Sequence, residues 1–342
     1  MSADWRKRGL QVFAFAAVAV LIDFALGGLL GTLTPYADPR SSPIGTLEAA
    51  RKRSDAEFVV LGSSRANHHI DPQILGERLG VEVHNAGLDG QSVVFARAVQ
   101  ELMWASGIRP KAFIMQVEAF DVINYEPSRA MVTTRYLDSM PVTRRRLESE
   151  GYNVRAKLTS RAFRFNSLVL QLVLNRLRGE RDMGIDSYSI LTASMEGRRA
   201  RAIGVPGQWT SPSRTVHPEA LRALEEFVEA TTAAGSQVFV VTGPYLRYGP
   251  PVQEELMAIA AIAEVTAAGG GQLLKIDERR FPVFEDPALF AGTAHLNGDG
   301  ATIFTEILAD LIQSKGHTGS AAGPAGAAGE STMDDVDAEE DR

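Results

Sequence analysis

The chain has 342 residues, 45% of them hydrophobic, and a formal net charge of −7. That is enough apolar material for one large domain with accessory pieces, and the acidic balance argues against a nucleic-acid binder. With no cysteine in the chain, disulfides, thiolate metal sites and a cysteine nucleophile are excluded.

Trp5-Arg6-Lys7-Arg8 stands ahead of an apolar run over residues 9–33, whose clearly polar members are Gln11, Asp23 and Thr32. The run is about one membrane crossing long. Basic residues in front predict a signal anchor, with residues 1–8 in the cytoplasm and the remainder on the extracytoplasmic (periplasmic) side. No small-x-small cleavage site follows, so the anchor is expected to stay uncleaved. Asp23 reads either as a carboxyl protonated or satisfied by a helix neighbour, or as a contact to a partner's transmembrane helix. Residues 34–53, with Pro35, Pro39 and Pro43, read as a linker leaving the membrane, with a short helix over 46–53.

A domain over residues 54–315 follows. Phe58-Val59-Val60-Leu61 is a buried-strand run (57–61) cut off by Gly62-Ser63-Ser64, a tight turn. Asp71 and Pro72 then open a helix as N-cap and first position. A second strand over 81–84 ends at Asn85-Ala86-Gly87-Leu88-Asp89-Gly90. Helix 91–106 carries Val94, Ala98, Glu101, Leu102 and Ala105 at helical spacing, and a third strand spans 111–117. This β-α-β-α-β alternation implies a parallel sheet with helices on both faces.

Residues 122–216 interrupt the pattern as a mostly helical insertion, with helices expected over 141–151 and 160–178. Between residues 141 and 201 it holds 13 Lys or Arg against 6 Asp or Glu. That excess suits a solvated helical face, or a surface meeting an anionic polymer or lipid headgroups. The alternation resumes with helix 218–234, strand 237–242, helix 253–268 and strand 272–276. A last helix is capped by Asn297 or Asp299. Residues 316–342 read as a disordered acidic tail. The expected fold class is therefore α/β, a three-layer α/β/α domain on a five-stranded parallel sheet behind an N-terminal transmembrane helix.

In such sheets, ligands and catalytic groups gather at the carboxyl ends of the strands. There stand Ser64, the 87–90 turn, residues 118–124 and Thr242-Gly243-Pro244-Tyr245. His295 joins them from Gly292-Thr293-Ala294-His295-Leu296-Asn297, just before the last helix. A serine after the first strand and a histidine before the last helix form a nucleophile and base arrangement. The amides of Ser64 and Gly90 are candidate oxyanion donors. The plain alternatives are a Gly-Ser-Ser chosen for turn geometry and a histidine at a helix start. His68 and His69, close to Ser64, compete with His295 as base.

Gly62-Ser63-Ser64, then Asn85-Ala86-Gly87-Leu88-Asp89-Gly90, then His295-Leu296-Asn297 with Gly298-Asp299-Gly300-Ala301 together resemble the SGNH (GDSL-like) hydrolase superfamily. The likeness is greatest to its membrane-anchored cell-envelope members of polysaccharide acylation. The resemblance implies a flavodoxin-like sheet, a nucleophile at Ser64, an oxyanion glycine at Gly90 and a base at His295. It implies neither cofactor nor metal, and a serine esterase or O-acyltransferase acting on a carbohydrate or other ester. Two positions depart from the family pattern. The Asp usually found three residues before the histidine is Gly292, and Asp286 or Asp277 is the nearest substitute. The Asn usual after the third strand is missing from Gln116-Val117-Glu118-Ala119-Phe120-Asp121, leaving Asn124, Glu118 or Asp121, with Asn85 as a further supporting candidate. These departures keep open a non-catalytic module that binds glycan or scaffolds a membrane polysaccharide complex beside a membrane-protein partner.

Overall fold

The computed structural model describes residues 3–40, 42–178, 187–195, 215–246 and 253–316. The expected acidic tail beyond residue 316 and two stretches of the insertion, 179–186 and 196–214, lie outside the described residues.

Five strands form one parallel sheet: β1 Phe58–Gly62, β2 Val83–Asn85, β3 Ala112–Gln116, β4 Gln237–Thr242 and β5 Gln272–Lys275. Their order is β2-β1-β3-β4-β5, the doubly wound arrangement in which the path reverses between β1 and β3. All four neighbour pairs are parallel. Successive side chains point to opposite faces, and both faces are covered. Val59, Leu61, Phe113, Met115, Val238 and Val240 pack with the helices Val93–Ala105 and Pro218–Ala233. Phe58, Val60, Ile114, Phe239 and Val241 pack on the other side with the helices Pro72–Leu79 and Gly298–Ser314. Burial on both faces is why the strands read as unbroken apolar runs rather than alternating ones.

Local signals set the helix ends. Asp71 Oδ1 accepts from the amides of Gln73 (2.9 Å) and Ile74 (3.2 Å). Asn297, rather than Asp299, caps the last helix, its Oδ1 accepting from Gly300 N at 3.0 Å. Glu101 lies on the buried face of its helix yet is fully engaged. Its carboxylate accepts from Val142 N (2.8 Å), Thr143 N (2.7 Å) and Thr143 Oγ1 (2.6 Å). It thereby supplies the N-terminal cap that the insertion helix Pro141–Ser149 lacks in its own sequence.

Three stretches differ from expectation. The serine turn is already helical: Ser64–His69 forms a short helix directly after β1. Residues 34–53, expected as a linker with a helix over 46–53, are packed against the domain, with the helix at Pro43–Ala50 and Tyr36, Ile44 and Leu47 buried. Residues 160–178 form a 3-10 turn, Phe163–Leu168, before the α-helix Val169–Arg178.

Ahead of the domain stands a 29-residue helix, Ala3–Gly31, long and apolar enough over Trp5–Gly31 to cross a membrane. Asp23 is satisfied within the chain, but not by a neighbour on its own helix. Its Oδ1 accepts from Ser160 Oγ (2.6 Å) and Ala162 N (3.1 Å), and its Oδ2 from Arg161 N (2.7 Å).

Gly62 ends β1 with φ +143°, where a Cβ would sit 2.7 Å from the Gln116 carbonyl oxygen and 2.8 Å from Ala66 Cβ. Gly80 also has positive φ, at +69°, but has open space around it. Gly62→Ala is therefore expected to cost at least about 2 kcal/mol, from backbone strain plus overpacking, and Gly80→Ala about 1 kcal/mol. Thermal unfolding of the detergent-solubilised protein checks the ranking; equal losses would contradict it.

Candidate active site

β1 delivers Ser64 to the carboxyl edge of the sheet, and the short antiparallel pair β6 Phe290–Gly292 and β7 His295–Leu296 delivers His295. Ser64 Oγ and His295 Nε2 are 2.8 Å apart. With the imidazole neutral and its proton on Nδ1, the serine hydroxyl donates to Nε2. Both side chains are half-buried. Among the described residues no acceptor lies at His295 Nδ1. A cavity of about 360 Å³ flanks the imidazole, lined by Ile190, Leu191, Thr192, Ala193, Ala291 and Gly292.

The other two histidines face elsewhere. His69 is fully buried, and its Nε2 accepts from Leu296 N at 3.1 Å. It fixes the strand that carries His295 and stays neutral, because burial, and then the positive Arg65, hold its pKa well below the usual histidine range. His68 has Ser189 O at 2.7 Å from Nδ1 and Asp89 Oδ1 at 3.2 Å from Nε2. Two acceptors suit the imidazolium, which alone donates from both nitrogens. Burial works against that charge, but the Asp89 and Ser189 contacts outweigh it and the His68 pKa is raised. The rings of His68 and His69 lie 5.9 and 6.1 Å from that of His295. For His295, burial comes first, then the charges of Arg65 and His68; together they lower its pKa to about 4 against a partial lift from Asp89.

Gly90 stands in a turn tied to the end of β1 by Leu88 N donating to Gly62 O at 3.1 Å. Its carbonyl accepts from Arg129 Nη1 at 2.8 Å. Asn85 braces the serine helix from below, its Nδ2 donating to Ala66 O and Ile70 O, each at 2.8 Å.

The candidate substitutes for the family's missing groups are engaged away from the serine and histidine. Asn124 Nδ2 donates to Phe120 O within its own turn (3.1 Å). Asp286 Oδ1 accepts from Ala288 N (2.8 Å), and Asp277 pairs with Lys275 (3.0 Å). Glu118 and Asp121 form a reciprocal capping box. Glu118 Oε1 also accepts from Gly243 N at 2.9 Å and lies 3.4 Å from Arg65 Nε. Burial raises the Glu118 pKa to about 7 and that of Asp121 to about 6, Arg65 countering in part.

Sequence reasoning missed two further features. Arg65 is buried beside Ser64, donates from Nη2 to Pro244 O at 2.5 Å and stacks 4.1 Å over the Tyr245 ring. Its signal was only adjacency to the serine. Residues 187–195 of the insertion run across the sheet edge. Ser187 N donates to Asn85 O, Ser189 N to Asn67 O and Met195 N to Phe290 O, while Leu191 O accepts from Gly298 N. These are main-chain bonds and leave no side-chain pattern to read.

No protein-family model and no curated protein matches the chain. Among solved structures it is similar to LAE5, an alpha/beta hydrolase enzyme from the metagenome of Lake Arreo, Spain (12% identity, TM-score 0.41, 78% of this chain and 97% of that one). It is also similar to a protein from Parabacteroides merdae described as a GDSL-like lipase (9%, 0.40, 77% and 96%). A third is a family two carbohydrate esterase from Clostridium thermocellum (7%, 0.38, 76% and 64%). The five-stranded parallel order itself stands on the chain's own strand pairing.

Gly292 is the register partner of His295, and a Cβ there would meet nothing within 4 Å. A carboxylate at that position favours the imidazolium, so Gly292→Asp is expected to raise the His295 pKa from about 4 by roughly 1–3 units. NMR titration of the imidazole checks both values; a wild-type midpoint at the ordinary histidine value would contradict the electrostatics described.

Proposed function

We propose that the chain is a membrane-anchored, envelope-facing serine esterase or O-acyltransferase of SGNH type, acting on a carbohydrate or other ester. The observation that carries this reading is the 2.8 Å approach of Ser64 Oγ to His295 Nε2 between residues 231 apart in the chain. In the proposed cycle Ser64 Oγ attacks the acyl carbon as its proton passes to Nε2. The amides of Ser64 and Gly90 hold the oxyanion. The imidazolium gives the proton to the departing alkoxide, leaving an acyl-serine. Water or an acceptor hydroxyl then attacks the acyl carbon as His295 takes its proton; the bond from the acyl carbon to Oγ breaks, and the imidazolium returns the proton to Ser64. Anchoring rests on Arg6-Lys7-Arg8 in the first turns of a helix whose remainder is apolar.

A base whose pKa is lowered stays neutral to lower pH. Turnover on this reading is lost as pH falls through about 4 rather than through the ordinary histidine value near 6.5. The low pKa also makes His295 a weak base, and an imidazole without an acceptor at Nδ1 among the described residues is poorly oriented by them. That second fact favours the rival reading, a non-catalytic module that binds glycan or scaffolds a membrane polysaccharide complex.

Ser64→Ala and His295→Ala decide between the two. On an aryl ester and an acetylated glycan each is expected to lose about 10³-fold or more in kcat, and by similar amounts, as members of one unit do. Undiminished turnover in either variant, or none in the parent across many esters, favours the binding module. For topology, a reporter fused after Lys315 is expected to be active only outside the cytoplasm; cytoplasmic activity would overturn the envelope assignment.

A further inference from the structure

The Asp23 clamp fixes where the insertion sits relative to the apolar helix. A helix rises about 1.5 Å per residue, so Asp23 lies about 22 Å along the axis from Arg8. A hydrocarbon core is about 30 Å thick. With Arg8 at one boundary, Asp23 falls about 8 Å short of the other, and tilt only deepens it. The segment that Asp23 holds, Ser160 to Ala162, is thereby drawn into the acyl region just below the headgroups of the opposite leaflet, the depth of an interfacial segment.

The contacts suit that depth. Backbone amides in an apolar layer need acceptors, and Asp23 takes those of Arg161 and Ala162. The helix and segment touch closely: a Cβ on Gly27 would sit 2.4 Å from Arg161 Cβ. Arg161 lays its guanidinium 3.8 Å over the Phe24 ring. Leu30, about 10 Å further along the axis than Asp23, shares a buried cluster with Ile44, Phe165 and Leu172, so the helix Val169–Arg178 is held nearer the headgroups. Apolar side chains remain uncovered there, Phe163 at 50% and Leu177 at 77% exposure. Lys157, Arg161 and Arg176 are interleaved with them.

We propose that residues 157–178 are a lipid-binding element. Phe163 enters the acyl region of the leaflet away from the N-terminus, Leu177 rests at the glycerol boundary of that leaflet, and Lys157, Arg161 and Arg176 meet anionic headgroups. Apolar side chains between cationic ones are the composition of an interfacial segment, and each cation near an anionic surface adds to the binding. This rests on the anchor reading above but not on catalysis. It orients the domain: the docked insertion sets which side of the molecule lies against the bilayer.

The absence of native cysteine permits a clean test on the full chain in vesicles. Single Cys substitutions at Phe163 and Leu177 carry an environment-sensitive fluorophore. Phe13→Cys reports the span, and Arg222→Cys reports an exposed position on the helix Pro218–Ala233. Vesicles are phosphatidylcholine alone or mixed with phosphatidylglycerol, each with phospholipid brominated near the glycerol end of the acyl chain. The probes at 163 and 177 are expected to lose most of their emission to the brominated lipid, more so with phosphatidylglycerol, while that at 222 keeps its own. Water-like, unquenched emission at 163 and 177 beside a quenched probe at 13 would overturn the proposal and leave the anchor intact. An unquenched probe at 13 would remove the anchor as well. Blue-shifted but unquenched emission at 163 and 177 would mean that protein covers the patch, and would equally overturn it. Asp23→Ala is expected to lower quenching at 163; unchanged quenching there would refute the clamp.

Discussion

The architecture of the site depends on one guanidinium taken out of water. Arg65 follows Ser64 directly and is 4% exposed. Its desolvation is offset only if fixed acceptors surround it. They come from the ends of two other strands: Glu118 after β3 and the Pro244 carbonyl after β4, with the Tyr245 ring as a lid. Holding Arg65 therefore means holding three loops in register at one sheet edge. The position of the serine is a by-product of that requirement. Burial first, and then this same charge, lowers the pKa of both His69 and His295, so the group that builds the edge also contributes to its protonation.

What was legible in the sequence follows the same division. The strands were readable because they are buried on both faces, and their boundaries fall within two residues of expectation. The Ser64 and His295 loops were readable because each stands at a strand or helix end marked by glycine. The helix Ser64–His69 was not: Ser-Arg-Ala-Asn-His-His has no apolar period, and tertiary bonds from Asn85 stabilise it instead. Residues 34–53 looked like a linker because their prolines dominate the local pattern, whereas Ile44 and Leu47 find partners far along the chain. Asp23 was recognisable as an oddity in an apolar run. Nothing in the sequence could name its partners, two of which are main-chain amides 138 and 139 residues away.

Three imidazoles crowd this edge in unlike environments. His69 is structural and dry, His68 stands between a carboxylate and a carbonyl that favour its charged form, and His295 faces the serine and an open cavity. Like charges in such proximity are unfavourable, so charge on His68 comes at the expense of charge on His295. A proton accepted by His295 is therefore held loosely and readily passed on.

The carboxylate of Glu101 has a consequence for the order in which the molecule is assembled. The first amides of the helix Pro141–Ser149 have their acceptor on another helix, some 40 residues earlier in the chain. Until Val93–Ala105 is seated on the sheet, that acceptor is not in place and the short helix has little reason to persist on its own. The helix Pro141–Ser149 is then moulded on the platform that bears its acceptor, rather than docked ready-made. Transplanted without the helix that bears Glu101, it would arrive without its starting point.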